Sequence, residues 1–409
     1  MQQSIFRKKL IILLYPDGDY RGGAQKRYLA LFRYLQGNRD DFYLVLNETL
    51  YTSCFNDGIL TSDKNIIRIK LLFEGEKKPK NQADIQDSFD SKRKQRKPSS
   101  GLRNFLGINK TLVKNTLTWL RYNVTIFYIL KKNRYTNVYT IYNGGIFSWP
   151  ILRLLKIRHI YSYNDASAAL ISRKWSDLFR SEYRVLKYAD CIDFLSQQVI
   201  MNLERKMGQV FESRKSITPN SFINYNGFSA VHPKDLSVSF CSRLTKFKNP
   251  EILFEAIKIL NNRGFDRVRY DIIGHGILFP ALNEFIRVNS FQNILLHGAH
   301  SHPEQILSRS RIFVSIQADN NYPSQSLIEA MACENAIIAS DVGETRLLVS
   351  KKEGILVPIE SSKLADAIQF LIENPELCYN MGRSAREKVI KEQTLESYAD
   401  YFIQLNEQL

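Results

Sequence analysis

The sequence predicts an α/β protein built on parallel sheet and divided into two domains. Three observations lead there. At 409 residues the chain is long enough for two domains of roughly 200 residues each. Residues 311–349, RIFVSIQADNNYPSQSLIEAMACENAIIASDVGETRLLV, read as a strand (311–316), a polar loop (317–321), a helix entered at Pro323 and carried by good helix formers to Cys333, and a second apolar strand (336–340) broken at Gly343. Strand, loop, helix, strand is one unit of parallel sheet. The same alternation opens the chain. Residues 9–15 (KLIILLY) form an apolar run, Gly22-Gly23-Ala24 follow a polar loop, and Tyr28, Leu29, Leu31, Phe32 and Leu35 recur at helical spacing.

Composition narrows the class. The chain is 44% hydrophobic and 24% charged, as in soluble globular proteins. No run approaches the ~20 apolar residues that span a bilayer, and residues 10–15 read as a first strand in place of a signal peptide. Five scattered cysteines without metal spacing fit a reducing cytoplasm. The net charge of +16 is uneven: residues 77–134 carry 15 Lys and Arg against three acids, a net of +12. That concentration points to an anionic partner, whether membrane, nucleic acid or acidic glycan.

The remaining elements follow in order. Residues 42–46 and 66–69 read as strands, and 77–100 as a polar, charged loop. Residues 102–130 are helical, with Leu106, Val113, Leu117, Leu120, Val124 and Phe127 on one face and Arg103, Lys110, Lys114 and Arg121 along its shoulder. From Leu117 onward this face is expected to pack on the sheet, while 101–115 either pack likewise or lie on anionic lipid. Strand 138–142 ends at Asn143-Gly144-Gly145, and strand 157–162 at Tyr163-Asn164-Asp165. Strand ends of this kind face ligands in open α/β sheets. Asp165 there is either a site residue or the cap of the next helix. A helix (178–188), a strand (190–196) and the segment ITPNSF (217–222) close the first half.

The second half begins near His232. Strand 236–241 runs into Arg243 and Lys248, five residues apart before a helix over 251–262. These cations either neutralise a diphosphate or belong to a solvated basic loop. Strand 269–273 ends at Gly274-His275-Gly276, and strand 294–296 at His297-Gly298-Ala299. His275, His297, His300 and His302 are close in sequence but belong to different loops, so no metal site is expected. At the start of the 324–333 helix, the N–H groups near Ser324, Gln325 and Ser326 lack intrahelical partners and favour a phosphate. Glu329, about one and a half turns in, either accepts a ribose diol or stabilises the helix start. Helices over 364–373, 375–391 and 398–405 end the chain.

These motifs resemble glycosyltransferase family 4, retaining enzymes of the GT-B fold. Glu329-Ala330-Met331-Ala332-Cys333 and the strand ending Asp341-Val342-Gly343 match its signature. Asn321 stands in place of the first glutamate and Glu334 in place of a glycine. The resemblance is good over 238–402 and looser over 9–222. It implies two Rossmann-like domains facing a central cleft: an acceptor domain over 1–225, with a basic, membrane-facing loop and helix at 77–116; a nucleotide-sugar domain over 226–390; and a helix over 391–409 crossing back. It assigns the donor diphosphate to Arg243, Lys248, Gly23, Ser324, Gln325 and Ser326, and the ribose to Glu329. The base region falls to Gly274, His275 and Ala299, and the catalytic positions to Asn321 and Asp165. Pro219-Asn220 matches the family's Pro-Asn-Gly segment, with Ser221 at the glycine.

The implied activity is a metal-independent, cofactor-free hexosyl transfer with retention. The donor is a nucleotide diphosphate sugar, UDP in preference to GDP. The acceptor is a lipid-linked glycan or a polysaccharide for lipopolysaccharide or capsule, met at the inner membrane face by a peripheral cytoplasmic enzyme. The rival is a catalytically weak GT-B protein that holds a nucleotide or an anionic polymer, favoured by Asn143, Asn164 and Asn321. Nucleic acid is disfavoured, because 77–118 has few aromatics on which bases could stack.

Overall fold

The structure, a computed structural model, describes residues 8–15, 23–71, 101–164, 182–208, 210–219, 227–300 and 302–408. Two compact units divide the chain, Met1–Pro219 with Tyr398–Leu409, and Asn220–Ser397. Each is built around its own parallel sheet.

The first unit holds β1 (Lys9–Leu14), β2 (Phe42–Asn47), β3 (Ile66–Ile69), β4 (Asn137–Tyr142), β5 (Arg158–Tyr163), β6 (Cys191–Phe194) and β7 (Arg214–Ile217), in the order β3-β2-β1-β4-β5-β6-β7. β1 pairs in parallel with β2 from Lys9↔Phe42 and with β4 from Lys9↔Asn137. All six residues of β1 are buried, as expected of a strand covered on both faces. Helices Glu48–Asn56 and Gln197–Met207 and the edge strand β7 go beyond the elements read from the sequence. The second of these helices is opened by Ser196, whose side chain accepts from the Val199 amide.

The helix Gly101–Asn133 departs from expectation. Leu117, Leu120 and Val124, placed on the sheet-facing side by their spacing, are 53%, 48% and 68% exposed. Tyr122, Ile126, Ile129 and Leu130 are buried instead. The helix carries two apolar series at helical spacing, and the buried one has the better partners: the Tyr122 ring meets Phe147 at 5.6 Å, and its hydroxyl bonds to Ser148 Oγ at 2.6 Å. The basic loop at 77–100 and the side chains of 101–115 lie outside the described residues.

The last helix, Leu395–Glu407, contributes to the first unit from Tyr398 onward. Phe402 packs against Phe42 and Tyr139, with ring centroids at 5.7 and 4.7 Å. Tyr401 and Tyr139 both donate to buried Asp193, at 2.5 and 2.6 Å. Burial raises the Asp193 carboxyl to about 6. Buried Arg27 lies with its guanidinium 4.4 Å from the Tyr398 ring and donates to Thr218.

The second unit holds β8 (Asp235–Cys241), β9 (Arg269–Ile273), β10 (Ile294–Gly298), β11 (Ser310–Ser315), β12 (Ala336–Ser340) and β13 (Gly354–Val357), ordered β10-β9-β8-β11-β12-β13. Helices Pro250–Asn262, Ser361–Glu373 and Pro375–Glu392 bury apolar residues. The strand order turns around between β8 and β11. Ligands bind outside the carboxyl ends of the strands at such a point.

Candidate functional site

The carboxyl end of β8 meets that of β9 very closely. The Ser242 amide donates to Ile273 O at 3.0 Å and the Leu244 amide to His275 O at 3.1 Å. Gly274 sits at φ +143, where an added Cβ would lie 1.8 Å from Ser242 O. At Gly276 it would lie 2.4 Å from Leu244 O. The Gly274-His275-Gly276 turn therefore requires both glycines. The Gly274 amide donates to Gly298 O at 2.7 Å, which brings the turn beside Ala299, exposed just past β10. His275 is exposed, its ring 4.9 Å from that of Phe279. His297 instead pairs with buried Asp271 at 2.9 Å, and Asp271 in turn with Arg269. It is committed to the sheet.

Past β8 the chain makes a 3-10 turn, Lys246–Lys248, left at Asn249 in the left-handed region before Pro250 starts the next helix. Arg243 is exposed, whereas Lys248 is only 9% exposed. Lys248 Nζ donates to Gln317 Oε1 at 2.6 Å. Gln317 is itself buried and held on several sides. Its Nε2 donates to Ser315 Oγ at 3.0 Å, its amide donates to Ser340 Oγ at 2.8 Å, and its carbonyl accepts from Ser340 Oγ at 3.1 Å. The loops after β8 and β11 are further tied by the Ala318 amide donating to Phe247 O at 2.9 Å. Burial, and then the neighbouring Arg243 guanidinium, bring the Lys248 ammonium down to about 7. An amide partner holds this ammonium without cancelling its charge. The arrangement can therefore receive an anion.

The helix after β11 is Gln325–Ala332, shorter than expected at its start. Pro323 lies outside it, following a cis Tyr322–Pro323 bond. Ser324 takes the extended N-cap conformation, with no side-chain cap bond. The first intrahelical bond runs from the Ile328 amide to Ser324 O at 3.1 Å, so the amides of Gln325 and Ser326 lie ahead of it. Glu329 is buried one turn in and accepts from Gln325 Nε2 at 3.0 Å.

The loop ahead of that helix is organised by Asn320. Its Oδ1 accepts from the amides of Tyr322 and Glu344, each at 3.2 Å. Gly343, at φ +53, lies so close that a Cβ would sit 2.5 Å from Asn320 Cγ. Asn321 is half-buried beside it. Gln317, Asn320 and Ser340 join this candidate site beyond the residues to which the sequence points. The Asp-Val-Gly turn after β12 was the available signal for Asn320. Nothing in the spacing marks a glutamine that turns inward toward a lysine 69 residues away.

Arg243, Lys248, Ser324, Gln325, Ser326 and Glu329 thus all sit at or just past the carboxyl ends of adjacent β8 and β11. Gly23 and Asp165 belong to the other unit. Gly23 opens the helix Gly23–Asn38, and Asp165 lies outside the described residues. At the end of β4, a Cβ on Gly144 would meet Ile12 O at 2.5 Å, and one on Gly145 would meet the Tyr161 ring at 2.5 Å. Close packing of strand and helix accounts for this glycine pair. Asn164 Nδ2 donates to Ser162 Oγ at 2.9 Å and to the Tyr28 hydroxyl at 3.2 Å. Among the described residues no group of three or more His, Cys, Asp or Glu could hold a metal ion.

Residues 235–374 match the family described as Glycosyl transferases group 1. The chain is similar to the poly(ribitol-phosphate) alpha-N-acetylglucosaminyltransferase of Staphylococcus aureus, 23% identical over 62% of this chain and 50% of the relative. It is also similar to the alpha-D-kanosaminyltransferase of Streptomyces kanamyceticus, 28% identical over 36% of this chain and 39% of the relative. The chain spans half or less of the length of these curated relatives. Among solved structures, Anabaena HepE in complex with UDP and glucose superposes with a TM-score of 0.72 at 14% identity, over 98% of this chain and 100% of that one. The pneumococcal O-GlcNAc transferase GtfA, with UDP and GlcNAc, does so with a TM-score of 0.65 at 12% identity, over 98% and 99%. The fold is GT-B, and the comparisons support a glycosyltransferase.

Proposed function

We propose that the protein transfers a hexose from a UDP-sugar to a glycan acceptor with retention of configuration. What carries this reading is Lys248: a buried ammonium, held by an uncharged amide, beside Arg243 and near a helix start at the turning point of the sheet. Those groups would stabilise the departing diphosphate, and Glu329 would hold the ribose. The bond from the anomeric carbon to the β-phosphate oxygen breaks, the acceptor oxygen bonds on the same face, and its proton passes to the β-phosphate. No metal enters the scheme. UDP in two solved neighbours supports the choice of base. The acceptor is a lipid-linked or polysaccharide glycan, and the net +12 of residues 77–134 supports peripheral attachment to an anionic inner membrane face. In this reading the first unit binds the acceptor and the second the donor. Turnover assayed with a panel of UDP- and GDP-sugars tests the activity; release of sugar from none of them rejects it.

The pH dependence follows from Lys248. Its amine titrates near 7 in the free protein, and only the ammonium attracts a diphosphate. Binding therefore takes up a proton above neutrality, and UDP affinity should fall by up to ~tenfold per pH unit as pH rises past 7. Calorimetry between pH 6 and 8.5, in buffers of different ionisation enthalpy, reads both effects. A flat profile without proton uptake would contradict them.

A second reading, binding without turnover, is favoured by Asn321, whose amide cannot supply the negative charge of the family's glutamate. If Asn321 faces the sugar, Asn321→Ala should lower turnover while leaving UDP affinity nearly intact. Unchanged turnover would make it an ordinary loop residue.

A further inference from the structure

The helix Gly101–Asn133 exposes an apolar stripe that nothing in the site uses. Leu117, Leu120, Val124, Phe127 and Tyr128 recur at spacings of three and four and are all exposed. The opposite series, Tyr122, Ile126, Ile129 and Leu130, is buried in the core. The stripe is therefore the outer face of a firmly anchored helix. Single exposed apolar residues are unremarkable, but a contiguous row of them marks an interaction surface.

The charge on the same helix selects the partner. Its 33 residues contain six Lys and Arg and no Asp or Glu. Arg121 and Lys132 lie along the edge of the stripe, and Lys131 within it. Lys131 Nζ lies 5.9 Å from the Phe127 ring and Lys132 Nζ 5.9 Å from the Tyr128 ring. An apolar row edged by cations matches the acyl and headgroup layers of an anionic bilayer. Two copies of this face would repel one another. No helix among the described residues is long and apolar enough to cross a membrane, so the contact is a lateral one.

We infer that the exposed face from Leu117 to Tyr128 rests on anionic lipid, with its apolar side chains in the interface and Arg121, Lys131 and Lys132 at the phosphates. This deepens, and rests on, the peripheral attachment proposed above. It moves the contact from the 77–116 segment to the second half of the helix.

The test uses the full chain and vesicles of phosphatidylglycerol with phosphatidylcholine, against phosphatidylcholine alone. Wild type should sediment with the anionic vesicles and detach as salt rises. The triple variant Leu117→Ser, Val124→Ser, Tyr128→Ser should partition about tenfold more weakly or worse, while binding UDP as wild type does. A polarity-sensitive dye on Val124→Cys should shift to the blue when anionic vesicles are added. Absent vesicle binding, a triple variant that binds like wild type, or an unshifted dye would overturn the inference. So would self-association that the triple variant abolishes, which would assign the stripe to a second copy. Failure of wild type to bind UDP would count against the transferase reading alone.

Discussion

Lys248→Ala is expected to weaken UDP binding by about 1.5–3 kcal/mol, and Arg243→Ala by an amount in the same range, the scale of hydrogen bonds to charged groups. The two should differ in kind. Arg243 is exposed, so its loss removes an anion partner without disturbing the core, and by lifting its repulsion lets Lys248 keep its proton to higher pH. Lys248 is buried against Gln317, so alanine also leaves the Gln317 carbonyl oxygen without its donor. Lys248→Met, which keeps the stem, separates lost charge from lost packing. Gln317→Ala should act through the lysine. Removing the acceptor disfavours the ammonium, so UDP affinity should begin to fall at lower pH than in wild type. Calorimetry at pH 6 and 8 reads all four variants. Affinities equal to wild type for both Lys248→Ala and Arg243→Ala would dismantle the diphosphate site.

Gly274→Ala should cost about 3 kcal/mol of stability, in the range of strained or clashing backbone substitutions. Its φ of +143 is foreign to side chains, and the Cβ would fall 1.8 Å from Ser242 O, a backbone atom with nowhere to go. Gly264→Ala provides the contrast: φ is +89 and nothing lies within 4 Å. Strain alone should then cost about 1 kcal/mol. Urea midpoints compare the two, and UDP calorimetry shows whether the β8–β9 junction has shifted. Equal costs would mean that the close approach of Gly274 to Ser242 is not what makes the position glycine.

The sequence exposes most of the sheet framework, because strands buried on both faces read as continuous apolar runs. β1, β4, β11 and β12 were visible for that reason. Loops fixed by backbone order are legible too: the Gly274–Gly276 turn and the loop carrying Arg243 and Lys248 follow the strands the sequence predicts. Two features were hidden for different reasons. The helix Gly101–Asn133 has two apolar series, and periodicity measures spacing without choosing which series faces inward; the Tyr122–Ser148 hydrogen bond and the Phe147 contact made the choice. Gln317 was hidden because a polar residue after a strand reads as loop, whereas here it turns inward to satisfy a lysine. The helix start moved from Pro323 to Gln325 because Asn320 and Gly343 organise the preceding turn.

The placement of the final helix bears on how the chain matures as it is made. Asp193 shares two hydroxyl donors, and one of them, Tyr401, lies 208 residues downstream. Phe42, Tyr139 and Arg27 likewise wait for Phe402 and Tyr398. On the ribosome, the segment that is synthesised first therefore cannot finish its own interior until Tyr398–Phe402 have been made. The second unit, whose residues are contiguous in sequence, is free to complete itself earlier. Vectorial synthesis thus leaves the nascent first unit with an open apolar seam until the helix Leu395–Glu407 emerges. A stop codon placed ahead of Tyr398 should send the protein to proteolysis with its second sheet intact.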